Sequence, residues 1–140
     1  MAETMHVEAV WGEGMRFDVA TGSGHEMVLD ASPEHDGQDQ GPRPVEILLA
    51  AQAGCTGMDV ISILKKMRQP VTGYQVRVTG ERRDDFPRIF TKIMVEHVLQ
   101  GDLDEDKVAH AVELSEEKYC SVSAMLREAT QLDVKWTIEK

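Results

Sequence analysis

The sequence predicts an α+β fold, and three observations carry that reading. Short alternating apolar bursts crowd the first 31 residues, and a long apolar stretch starting at Pro44 has the length of a helix. Two strand-like runs, two helix-like runs and a closing strand follow it. Strands and helices are thus grouped instead of alternating, which separates the chain from parallel α/β proteins. The expected order is βββ, α, ββ, αα, β.

In the opening segment Val7, Ala9 and Trp11 share one parity, Met15, Phe17 and Val19 another, and His25 to Ala31 forms a third burst. Gly12, Gly14, Gly22 and Gly24 punctuate them, so three short strands in an antiparallel meander are expected. Ser32 to Pro44 is polar and lacks periodicity, the pattern of a mobile loop that could serve as a lid. Pro44 suits the first position of a helix, where its missing N–H costs nothing, and Pro70 requires an end by about Met67. The first half of this helix is apolar nearly all round, which implies burial, either centrally or against a second subunit.

Tyr74, Val76 and Val78 alternate with polar residues, and after the charged turn ERRDDFPR the run IFTKIMVEHVL completes a hairpin. Asp102 or Asp104 is placed to cap the helix LDEDKVAHAVELSEEKY, with Val108, Ala111, Val112 and Leu114 on its inner side. Ser121 begins a second short helix, and LDVKWTIEK sets Leu132, Val134, Trp136 and Ile138 on one face of a last strand.

The 140 residues are expected to form a single domain spanning 1–140. A net charge of −10 argues against nucleic acid and anionic membrane as partners. No apolar run is read as the roughly 20 residues of a membrane span, and MAETMHVEAV lacks the basic and then apolar start of a secretory signal. The expected location is the cytoplasm.

Two cysteines are present, Cys55 and Cys120, 65 positions apart (120 − 55), without CxxC spacing. On a helix, Ala51 and Gln52 lie one turn behind Cys55, with Met58 and Asp59 one turn ahead. Gly54 and Gly57 each cost roughly 1 kcal/mol relative to Ala in a helix interior. That cost implies close approach of another backbone, or room for a substrate beside the sulfur. Asp59 disfavours a thiolate at Cys55, so activation would need a nearby cation. Cys120 sits at the join of two helices, where a helix N-terminus favours the thiolate. Each cysteine alone also fits a plain buried residue; together they allow a peroxidatic and resolving pair.

His6, His25, His35, His97 and His110 show no metal-ligand spacing, so no metal is expected. Glu113, Glu116 and Glu117 read as a solvated helix face, Met58 and Met67 as core fillers. Arg82 and Arg83 could dock an acidic group, although a charged hairpin turn is the plainer reading.

The stretches PVEILLAAQAGCTGMDVISILKKMRQ, GERRDDFPRIFT and EKYCSVSAML resemble the OsmC/Ohr family of thiol peroxidases, in particular its OsmC-like YhfA branch. The resemblance covers nearly the whole chain. It implies antiparallel sheets with a long central helix, in an intertwined homodimer whose sites lie at the subunit interface. It also implies that Cys55 attacks an organic hydroperoxide and Cys120 resolves the sulfenic acid as a disulfide. A dithiol such as a lipoylated protein would restore both thiols, with no metal, flavin or haem. Family peroxidases add a glutamate directly after the helix-opening proline, and an arginine from the N-terminal strands. Here Val45 follows Pro44 and the glutamate is Glu46; Arg16 is the candidate arginine, and Ser121 replaces the proline usual after the second cysteine. On a regular helix Glu46 lies about 180° round from Cys55 and about 13.5 Å away along the axis. The leading expectation is a cysteine-dependent hydroperoxide reductase. Alternatives are a non-catalytic binder of a hydrophobic small molecule on the same scaffold, and a dithiol redox enzyme with another substrate.

Overall fold

The computed structural model describes residues 2–139. It divides into two compact units, Met1–Leu48 and Leu49–Lys140. In the first unit β1 (Val7–Trp11), β2 (Phe17–Thr21) and β3 (Glu26–Leu29) form an antiparallel sheet in the order β1-β2-β3. The meander expected from the glycine punctuation is present. The loop after β3, expected to be mobile, is instead tethered. The Asp30 carboxylate accepts N–H bonds from Ala31, Gln38 and Gln40, and its own N–H donates to the Pro42 carbonyl. Those N–H bonds, Ala31 first, hold the Asp30 carboxyl below its ordinary pKa against the opposing effect of desolvation.

Helix α1 (Pro44–Lys66) begins in the first unit and continues through the second. The Glu46 side chain accepts from the Arg43 N–H at 2.8 Å, the return half of a capping box, and Pro44 occupies the first turn. At the other end, Arg68 N–H reaches the Lys65 carbonyl and Gln69 N–H the Leu64 carbonyl. This is a Schellman closure with Arg68 at φ 59°, where glycine would be unstrained. The Gln69 side chain then accepts the Asp104 N–H at 2.8 Å, tying the helix exit to the next helix start. By length and composition α1 is apolar enough to cross a membrane, contrary to the sequence reading. Alanines and glycines supply the length that a scan for large apolar residues overlooks.

In the second unit β4 (Gly73–Arg82) pairs antiparallel with β5 (Phe90–Gln100), and β5 pairs with β6 (Gln131–Glu139) in parallel. The parallel pair departs from the wholly antiparallel sheets expected. Its cause is the intervening helical segment, long enough to return the chain to the starting end of the sheet. That segment holds α2 (Glu105–Leu114), a π turn (Ser115–Tyr119) and α3 (Ser121–Arg127), where one continuous helix through Tyr119 was expected before the last. Asp104 caps α2, its carboxylate accepting from the N–H groups of Asp106 and Lys107. Val60 and Leu64 of α1, Leu99, Leu103, and Val108, Ala111 and Val112 of α2 make the core, flanked by Tyr74, Val134, Trp136 and Ile138. Arg82 and Arg83 donate to carbonyls of their own turn, so the plainer reading of ERRDDFPR holds.

Within this core His97 is fully buried, with Nδ1 2.7 Å from the Tyr74 hydroxyl and no partner for Nε2 among the described residues. Desolvation lowers its pKa to about 4, against about 6.5 in an unfolded chain. The unfolded state therefore binds the extra proton first, and stability falls as pH drops from about 6.5 to about 4. Urea unfolding across that window should show the loss, on the order of 3 kcal/mol, and His97→Gln should flatten it. A wild-type profile no steeper than the variant's would contradict this. Arg68→Gly should raise stability by about 0.5–1 kcal/mol, read from the urea midpoint, by relieving the left-handed backbone.

Candidate active site

The buried ridge of α1 is polar where it was expected to be apolar. Gln52, Thr56, Val60 and Leu64 recur every four residues, which puts them on one inclined row, and the first two carry polar side chains with no solvent contact. Gln52 Nε2 donates to Ser123 Oγ at 2.7 Å. Thr56 Oγ1 lies 2.8 Å from Ser115 Oγ, which donates to Asp59 Oδ2 at 3.0 Å. Ser115 and Ser123 thus bind the π turn and α3 to α1.

The π turn places Cys120. Its N–H reaches back five residues to the Ser115 carbonyl at 2.8 Å, and the wider turn leaves Cys120 as the N-cap of α3. Cys120 Sγ accepts the Ser123 N–H at 3.3 Å. The helix-junction position expected for Cys120 is therefore observed. Burial pushes its thiol pKa up, opposed by the bonds to Ser123 and assisted by the neighbouring Cys55.

Cys55 lies on α1 beside this seam. Cys55 Sγ, Cys120 Sγ and a carboxylate oxygen of Asp59 all lie within 4.8 Å of one another. Cys55 is partly exposed, whereas Cys120 is only 3% exposed. The glycines around Cys55 differ from one another: a Cβ on Gly57 would meet Val76 Cγ2 at 3.4 Å, while one on Gly54 would meet nothing within 4 Å. An added Cβ at Gly57 would thus make an ordinary contact with the sheet, and Gly54 faces open space.

The other two candidates are engaged inside the first unit. Arg16 donates from Nε and Nη2 to Asp18 and from Nη1 to Gln40, and its pairing with Asp18 raises its pKa. Glu46 closes the first turn of α1 through Arg43. Glu116, expected on a solvated face, is instead half-buried, paired with Arg127 at 2.6 Å and approached by Ser123 Oγ. Burial raises its pKa, with Arg127 opposing. Sequence reasoning also missed Gln52, Thr56, Ser115 and Ser123. One signal was available, since Gln52, Thr56 and Asp59 stand at helical spacing on an otherwise apolar helix.

A brief pulse of alkylating reagent on the reduced native protein should label Cys55 before Cys120, followed by peptide mass spectrometry. Denaturant should erase the difference, and preferential labelling of Cys120 in the native state would contradict the burial described.

The OsmC-like protein family model matches residues 37–135. Protein YhfA of Escherichia coli K12 is 42% identical over 129 residues, covering 91% of this chain and 93% of that one. A crystal structure of a hypothetical protein from Aquifex aeolicus superposes with a TM-score of 0.88 at 35% identity, covering 99% of this chain and 98% of that one. The organic hydroperoxide resistance protein OhrB of Bacillus subtilis shares the fold at TM-score 0.65 and 20% identity, over 96% and 98% of the two chains. By sequence and by fold, the chain belongs to the OsmC-like protein family.

Proposed function

We propose that this protein is a cysteine-dependent hydroperoxide reductase, with Cys55 as the attacking and Cys120 as the resolving residue. The observation that carries the reading is the approach of the two sulfurs to within 4.8 Å, one partly exposed and one buried. A disulfide requires that distance to close to about 2.05 Å. The Cys55 thiolate attacks the outer oxygen of an organic hydroperoxide, forming a sulfenic acid and releasing the alcohol once its oxygen takes a proton. The Cys120 sulfur then attacks the sulfenic sulfur, giving a disulfide and water. Two electrons from a dithiol, possessed for example by a lipoylated protein, reduce the disulfide again. Burial suits Cys120 to the second role, because a thiol held protonated is a poor first nucleophile.

Glu46 and Arg16 are proposed as further residues of the reaction on the family resemblance alone; in the first unit Glu46 is bonded to Arg43, and Arg16 to Asp18 and Gln40. The chain is read as one OsmC-like domain acting in the cytoplasm as a homodimer. Support for the dimer comes from apolar groups the single chain leaves open: Leu48 and Met58 on α1 are 45% and 73% exposed, and Trp11 on β1 is 64% exposed. The substrate is proposed to be an apolar organic hydroperoxide, in keeping with the family resemblance.

The test mixes reduced protein with cumene hydroperoxide and follows peroxide and free thiols together. Wild type should consume one peroxide per two thiols lost. Cys120→Ser should stop after one turnover with a sulfenic acid that dimedone traps, and Cys55→Ser should fall to background. Peroxide loss that survives Cys55→Ser would remove the proposed nucleophile, and a wild type that never reacts would favour the binding-protein reading.

A further inference from the structure

Asp59 sets a carboxylate oxygen within 4.8 Å of both sulfurs, and the peroxidase reading gives that carboxylate no task. It fits well beside a cation. We propose that the reduced site binds one zinc-class divalent ion through Cys55 Sγ, Cys120 Sγ and the Asp59 carboxylate. The three donor atoms already lie within 4.8 Å of one another. A tetrahedral site with Zn–S bonds of about 2.3 Å has S–S edges of about 3.8 Å, within reach of small side-chain rotations. Two thiolates select zinc and cadmium over magnesium and calcium, whose preferred donors are oxygen.

The surrounding bonds are those such a site needs. Ser115 Oγ donates to Asp59 Oδ2 at 3.0 Å and is itself held by Thr56 at 2.8 Å, so the carboxylate is oriented from behind. The Ser123 N–H donates to Cys120 Sγ at 3.3 Å, a bond that strengthens when the sulfur carries charge. Three protein donors leave a fourth position for water or an external ligand. Binding replaces the two thiol protons with the ion and releases them to solvent, and a Cys55–Cys120 disulfide would remove both sulfur donors. The site therefore takes the ion only when reduced. It goes beyond the peroxidase reading and stands without it, since a chain inert to peroxides would bind the ion equally.

The test titrates the reduced, metal-free full chain with Co²⁺ and then Zn²⁺. Expected are one ion per chain, a sulfur-to-cobalt charge-transfer band, release of protons, and displacement of cobalt by zinc. Cys55→Ser, Cys120→Ser and disulfide-oxidised wild type should lose the band, and Asp59→Asn should weaken zinc binding. Ser115→Ala should weaken it about 10- to 100-fold, with folding of each variant checked by circular dichroism. A reduced wild type without the band, or Asp59→Asn binding unchanged, would overturn the proposal. Peroxide consumption of the metal-free protein is measured separately, so either reading can fail alone.

Discussion

Two buried side chains on α1, Gln52 and Thr56, constrain everything built around the sulfurs. A polar group cut off from water and left unpaired costs about 1–3 kcal/mol, so each must find a partner. Gln52 Nε2 and the Thr56 hydroxyl find serines far along the chain, 71 and 59 residues away at Ser123 and Ser115, while Gln52 Oε1 has no partner among the described residues. Those two contacts set where the π turn and α3 sit against α1. Cys55 precedes Thr56 by one residue, and Cys120 lies between Ser115 and Ser123. The hydrogen bonds that Gln52 Nε2 and Thr56 make therefore flank both thiols.

The π turn is the local device that makes this possible. An ordinary helix continuing from α2 would carry Ser115 and Cys120 on a narrower turn, five residues apart. The reach from Cys120 N–H to the Ser115 carbonyl widens that turn and ends the helix in one step. Cys120 then caps α3, and its sulfur meets the Ser123 N–H. Packing, capping and placement of the sulfur are one arrangement. A substitution that lengthened α2 as a regular helix would disturb all three.

The polar ridge also explains the unusual composition of α1. Helices usually turn apolar groups inward and polar groups to water. Here the buried row begins with an amide and a hydroxyl, while Leu48 and Met58 remain exposed. Taken alone the composition resembles a membrane span. In the fold, Gln52 Nε2 and Thr56 have bonding partners, and Leu48 and Met58 are apolar side chains left open to solvent.

Sequence alone determined the α+β class, the element order and the ends of α1, and narrowed the cap of α2 to Asp102 or Asp104, because these follow from local periodicity, prolines and capping chemistry. It also singled out Cys55 and Cys120 and drew the family resemblance that the comparisons bear out. It missed the tether on Asp30, the parallel pairing of β6, the π turn and the pairing of Glu116 with Arg127. Each of these depends on groups brought together from separate parts of the chain or on the count of residues in one turn. Only the tertiary structure decided that Asp59 stands beside both sulfurs. Periodicity places a residue on a face of its own helix; what faces it from a segment some 60 residues away is settled by which buried hydroxyls can reach each other.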